Sequence, residues 1–413
     1  MTPNQFLELA ASISVQVALL VLVTAGLSRL VNESGQCRLW AVCHAAILSL
    51  LAVALVFPHF RWFQPWSYLS SSRTAELVAV EAPLGRLLLL VWLIGCGASV
   101  AVFVFRNVQA ARFLRTCQPI PGSERLLPDG AEAGSPSERD KSGQTQNRGA
   151  ALTFWGRWPR AERSMDVMLL TSSRLAAPFC WQFHRPFIVI PEFIVKDDPE
   201  ALHFVVRHEW EHLRTGHPLQ LFLQRIVETL FWYHPMVWWA SRQSDVAREF
   251  LCDDAAIESP KQISRYLRAL LRIIEQGAGH RALVAALPFS RAGGTIARRA
   301  RRLAAIAQDS PLRRWEVPER VAVAGLFLAA AFCFFVWIPV DVMASTRSHW
   351  SPWPKWSAHV LHDFGIQARD FEIYDRRVDL HELIEYGGTG TSTTIPDGPS
   401  ISRSLVPTAR FSD

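Results

Sequence analysis

The chain has 413 residues, of which 50% are hydrophobic and 19% charged, and a formal net charge of +6. That length admits two or three domains, and that apolar fraction is at the top of the soluble range, so bulk composition alone does not make a membrane protein. The seven cysteines contain no C-x-x-C pair and no regular spacing, which argues against a disulfide framework or a zinc ribbon and leaves them as mostly reduced residues.

The distribution of apolar residues is more telling. About 20 apolar residues span a bilayer, and four runs are that long: 9–28, 39–57, 87–105 and 321–340. Gln16 is the one strongly polar side chain in the first, and His44 the one ionisable group in the second. No Lys or Arg precedes the first run, so it lacks the basic segment of a cleaved signal peptide. Arg29 and Arg38 lie between runs one and two. Arg106, Arg112 and Arg115 follow run three, and seven arginines from Arg298 to Arg320 precede run four. The positive-inside rule makes these segments cytoplasmic. Both termini and the 58–86 loop, with Trp62, Trp66 and Tyr68 at the interface, are then extracytoplasmic. A fifth apolar stretch, 219–240, contains Arg225, Glu228, His234 and Pro235. Charges at mid-bilayer cost about 2.5–3.5 kcal/mol each, so it reads as a helix buried in a domain or lying against the membrane.

Between runs three and four, residues 118–165 read as a linker, and its stretch from Pro128 to Gly149 is rich in Gly, Ser, Pro, Asp, Glu and Gln with almost no apolar residues, the composition of a flexible cytoplasmic loop or an insertion within the domain. Short strands are expected at 167–170 and 186–191, the second bounded by prolines. A helix is expected from Pro199 to Thr215, started by acidic residues and stopped by Gly216 and Pro218.

On that helix stands His208-Glu209-Trp210-Glu211-His212. Residues four apart share a helix face, so both imidazoles can meet one metal ion. Zinc favours such ligands and keeps one position for a water, whose proton Glu209 is placed to accept. For a third ligand, His217 falls one residue short of the long H-E-x-x-H-x-x-G-x-x-H spacing and reads as the end of the helix. Glu249 is the better choice, with Asp253 one turn later to take the outer N–H of a ligand histidine. Cys252, His203 and His234 read as structural. The arginine cluster 298–302 lacks interleaved aromatics and reads as a contact with lipid head groups rather than with nucleic acid.

Four local patterns resemble the BlaR/MecR-type integral-membrane zinc peptidases, whose best-known members are β-lactam-sensing antirepressors. They are Ala177-Pro178-Phe179 with Pro186–Pro191, His208-Glu209-x-x-His212, Phe231-Trp232-Tyr233-His234-Pro235, and Arg248-Glu249-x-x-Cys252-Asp253. The resemblance covers roughly 165–260, and the span layout extends it to about 340. It implies a mainly α membrane protein: three transmembrane helices within 1–117, a linker at 118–165, a cytoplasmic α+β gluzincin-like zinc domain at 166–318, a fourth transmembrane helix at 319–343 and a short extracytoplasmic tail at 344–413. It further implies His208, His212 and Glu249 as zinc ligands, Glu209 as catalytic base and Asp253 as second-shell partner. The implied substrate is a cytosolic protein such as a winged-helix repressor, or the chain itself, at the inner (plasma) membrane. A homodimer and the absence of direct nucleic-acid contact are further expectations. The tail lacks the S-x-x-K of a penicillin-binding domain, since Pro352 stands three residues before Lys355. A sensor domain is therefore not expected. A housekeeping membrane protease of HtpX type and a non-catalytic signalling scaffold are the alternative readings.

Overall fold

The computed structural model describes residues 3–60, 71–121, 167–175, 177–181, 185–278, 292–308, 317–340, 360–361 and 363–365. Trp62, Trp66 and Tyr68, most of the linker and nearly all of the tail lie outside them.

Three long helices open the chain: α1 (Pro3–Ser28), α2 (Glu33–Val56) and α3 (Ser71–Leu114). Asn32 caps α2 by accepting the Gly35 N–H at 2.9 Å. All three are long and apolar enough to cross a membrane. Each outruns the apolar stretch read from the sequence, and α3 extends to both sides of it. Residues 71–86, expected to belong to a loop, are helical and include Pro83. The apolar side chains of α3 face outward, with Leu90 57%, Ile94 71% and Phe105 62% exposed. A helix so coated in hydrocarbon needs lipid rather than water around it.

A four-stranded sheet follows: β1 (Gln118–Pro119), β2 (Met168–Ser172), β3 (Phe179–Trp181) and β4 (Phe187–Pro191), in the order β1-β2-β4-β3. β2 and β4 are parallel, with Leu169 opposite Ile188 and Leu170 opposite Val189, while β1–β2 and β3–β4 are antiparallel. Gln118 and Pro119, expected in the linker, are thus part of the sheet. Central strand β4 is covered on both faces, which is why Phe-Ile-Val-Ile does not alternate with polar residues. Ile188 and Ile190 pack with Leu202, Val205, Val206 and Leu213 of α5. Val189 packs on the opposite face with Ala110 and Phe113 of α3.

After β4 come α4 (Glu192–Asp197), α5 (Pro199–Arg214), α6 (His217–Leu230), α7 (Pro235–Ala256), α8 (Ile263–Ala278), α9 (Ala292–Ala307) and α10 (Glu319–Phe335). The 219–240 stretch is two helices, not one. Pro235 starts α7 and Phe231–His234 form the bend. Val227, Phe231, Val237 and Ala240 share one core with α1, α2 and α10. The charges that argued against a simple span are paired within this unit: Arg225 donates to Glu228 at 2.6 Å and Gln224 to Glu228 at 3.0 Å.

The fourth expected span is helical for 17 residues and then extended over Val336–Val340. Its freed backbone groups meet α1. Gln16 donates to the Val336 carbonyl at 2.8 Å, and Ser12 donates to the Ile338 carbonyl at 3.2 Å and accepts the Ile338 N–H at 3.0 Å. One turn earlier, Glu8 accepts the Trp337 indole N–H. Glu8, Ser12 and Gln16 form a stripe at four-residue spacing, of which Ser12 and Gln16 satisfy the unwound backbone in place of water and Glu8 holds the Trp337 indole.

Gly95 of α3 lies directly under the Trp232 indole, and a Cβ there would overlap the ring. Gly95→Leu should destabilise the purified protein by about 1–3 kcal/mol in thermal melting, the cost of overpacking. Gly97→Leu meets open space and should not change the melt.

Candidate metal centre

α5 has Asp198 at its N-cap, accepting the Ala201 N–H at 2.9 Å, and Pro199 in its first turn. Its sheet-facing side is apolar, so the helix is clamped with His208 and His212 directed at α7. The two rings lie one turn apart, with Nε2 atoms separated by 3.3 Å. From α7, Glu249 brings Oε2 to 3.4 Å from His208 Nε2 and Oε1 to 3.7 Å from His212 Nε2. The two nitrogens and the paired oxygens of the carboxylate surround a point suited to an ion bonded at about 2 Å, the bond length of zinc to nitrogen and carboxylate oxygen. Their lone pairs face one another, an arrangement that a cation between them makes favourable.

The outer ring atoms support this orientation. Tyr266 of α8 donates its hydroxyl hydrogen to Asp253 Oδ1 at 2.6 Å and lies 3.1 Å from His208 Nδ1. With its own hydrogen engaged, the Tyr266 oxygen accepts from Nδ1–H, which leaves Nε2 bare toward the centre. His212 Nδ1 lies 2.8 Å from His217 Nδ1. Arg299 of α9 completes the frame, donating to Asp253 at 2.9 and 2.5 Å and pairing with Glu249 at 2.8 Å.

The five residues singled out in the sequence, His208, Glu209, His212, Glu249 and Asp253, are brought together here. Asp253 reaches His208 chiefly through Tyr266, its own Oδ1 being 3.4 Å from Nδ1. Three further residues were not anticipated. Tyr266 has no local pattern. His217, read as a helix end, begins α6 beyond Gly216, whose φ of 68° makes the left-handed turn. Arg299, assigned to lipid head groups, is buried in the site, and Arg302 beside it pairs with Asp254 at 2.6 Å. Neighbouring Arg298 and Arg301 are exposed, so only helical phase distinguishes the site arginine from the surface ones.

Cys252 gives a competing donor set, with one atom each of His208, His212 and Cys252 within 4.8 Å of one another. The Cys252 sulfur also lies 3.6 Å from His217 Nδ1, on the outer side of His212, while the Glu249 carboxylate faces the inner Nε2 atoms.

Burial raises the Glu209 carboxyl to about 7, with Glu249 adding to it, while His208, Arg299 and the Cys180 thiol of β3 oppose. For His208, burial disfavours the charge, but the nearby Asp253 and Glu249 carboxylates prevail and lift it to about 9. Burial lowers His212 to about 3. Arg299 overcomes burial to hold Glu249 well below the ordinary carboxylate range.

Residues 141–303 match the family described as BlaR1 peptidase M56. The chain is also 25% identical over 135 residues to "Regulatory protein BlaR1" of Bacillus licheniformis. That alignment covers 32% of this chain and 22% of the relative, so the two share a domain rather than a whole length. Residues 141–303 thus resemble the BlaR1-type M56 peptidases, in a chain that also has three helices long and apolar enough to cross a membrane.

Two outcomes follow from this geometry. Arg299→Ala leaves Asp253 and Glu249 without their cation, so stability should fall by about 3–5 kcal/mol in thermal or denaturant unfolding, whereas Arg301→Ala should be neutral. Metal binding must displace the proton from His208 but not from His212. Apparent zinc affinity should therefore rise roughly tenfold per pH unit from about pH 6 to 8. A hundredfold rise per unit in chelator competition would mean that both rings carry protons.

Proposed function

We propose that the chain is a membrane-embedded zinc-dependent endopeptidase that cleaves a cytosolic regulatory protein, or itself, in a transmembrane signalling pathway. The observation that carries this reading is the convergence of His208 Nε2 and His212 Nε2, 3.3 Å apart, on the Glu249 carboxylate, whose Oε2 lies 3.4 Å from the first and Oε1 3.7 Å from the second, each ring steered by an outer hydrogen bond. His208, His212 and Glu249 would hold Zn2+. When bound, the ion would supply a polarised water as nucleophile and a Lewis acid for the peptide carbonyl.

The chain's own residues do the rest. Glu209 takes the water proton on its carboxylate and returns it to the departing amide nitrogen. Its raised proton affinity, about 7, suits a group that must accept and release within one turnover. The Cys180 thiol, on edge strand β3, opposes the rise in proton affinity of that carboxylate. Asp253, Tyr266 and Arg299 hold His208 and Glu249 in register.

The proposed topology counts α10 with its extended continuation as a fourth span, which places the zinc domain in the cytoplasm and both termini outside at the inner (plasma) membrane. The arginines at the ends of α1, α3 and α10 favour it. The relative's printed name makes it a regulatory protein, and a winged-helix repressor is the substrate class proposed here. A homodimer is compatible with this arrangement, and no direct contact with nucleic acid is proposed.

Metal analysis of the purified protein should give one zinc per chain, and His208→Ala should abolish it. Glu209→Gln should keep the zinc and lose at least about 100-fold in cleavage. Proteomics of wild type against this variant should reveal a protein that accumulates uncut. A zinc-free wild type, or a Glu209→Gln strain with an unchanged proteome and phenotype, would overturn the reading.

A further inference from the structure

The outer nitrogen of His212 leads into a directed chain of hydrogen bonds that ends in a membrane helix. With Nε2 facing the centre, His212 carries its hydrogen on Nδ1 and donates to His217 Nδ1 at 2.8 Å. His217 must then carry its own hydrogen on Nε2, which lies 3.4 Å from the Cys37 sulfur of α2. The Cys37 thiol lies 3.6 Å from Gln220 Oε1, its acceptor. Gln220 donates in turn to the Thr215 carbonyl at 3.3 Å, at the C-terminal end of the helix that carries His212. Every donor in the loop has an acceptor, and the direction is the same throughout. His217 is 2% exposed and Cys37 2% exposed, so water does not substitute for either. Cys252 touches His217 Nδ1 at 3.6 Å, but that nitrogen already accepts from His212. The left-handed turn at Gly216 folds His217 back beneath the ligand.

We infer that His217 is the positioning residue for ligand His212, and that through Cys37 it makes the metal affinity of the centre depend on the placement of membrane helix α2. This rests on the zinc reading above and adds regulation to it. An axial shift or rotation of α2 withdraws the sulfur from His217, frees the ring to turn, and loosens His212. The device carries position rather than charge, and no bond is made or broken.

The test uses the full chain in detergent, loaded with Zn2+ or Co2+, and reads affinity by chelator competition and ligand geometry by the visible spectrum of Co2+. His217→Phe removes the acceptor and should weaken zinc by about 10–100-fold, the usual cost of losing an outer partner, with a shifted Co2+ spectrum. His217→Asn offers an oxygen where Nδ1 stood and should restore affinity to within about threefold of wild type. Cys37→Val should weaken zinc several-fold, Cys37→Ser should not, and Cys37→Val added to His217→Asn should have no further effect, because the link is already cut. Wild-type affinity and spectrum in His217→Phe would overturn the inference while leaving the zinc reading intact. If that variant does not fold, equal effects of Cys37→Val in both backgrounds would overturn it instead. A wild type that binds no stoichiometric metal while remaining folded would fail the zinc reading itself, and the inference with it.

Discussion

The charge on Asp253 is the constraint around which the half of the protein that holds the metal centre is built. This carboxylate is fully buried, and an unpaired charge there would cost several kcal/mol. It is tolerated because α8 brings Tyr266, α9 brings Arg299 and α5 brings His208 to the same two oxygens. Four helices far apart in sequence are thus held by one group. Desolvation is recovered by geometry: Arg299 presents a planar fork that also reaches Glu249, so one cation serves two anions. Asp253 fixes the angle of α9 and the orientation of His208 together.

α7 transmits that order toward the bilayer. Its first turns, with Val237 and Ala240, lie in the core shared with α1, α2 and α10, while Glu249 and Asp253 stand on its last turns. Between them Arg248 is buried against Gln224, Ser244 and Asp245. Membrane core and metal centre are therefore two ends of one packed element. His234, at the start of α7, anchors that end to the Ser14 carbonyl of α1 at 3.1 Å.

What could be read from the sequence was what is local. His208 and His212 are four apart on a helix whose start and stop are written in Asp198, Pro199 and Gly216, so their shared face follows from helix geometry alone. Strands β2 and β4 and the long apolar helices were legible for the same reason. Glu249 and Asp253 were reachable because they too stand four apart on one helix. Tyr266, Arg299 and His217 act across distances in space that no periodicity encodes. Arg299 was also camouflaged, since its cluster carries the signal expected beside a membrane span. The break between α6 and α7 was hidden by an apolar run that continues through it, and Gln16 gave no hint that Glu8 and Ser12 would join it in serving the extended end after α10.

α3 spans 44 residues without interruption, which at 1.5 Å per residue is about 66 Å, twice the thickness of the hydrocarbon layer. Its last turns carry Ala110 and Phe113, packed under Val189 of the central strand. Only Arg115, Thr116 and Cys117 separate the helix from β1. A rod long and apolar enough to cross a bilayer thus ends as part of the sheet platform, with three residues between it and the first strand. Tilting it would displace the sheet as a lever displaces its load. The edge strand β3, hydrogen-bonded to β4 in the same sheet, would move with it.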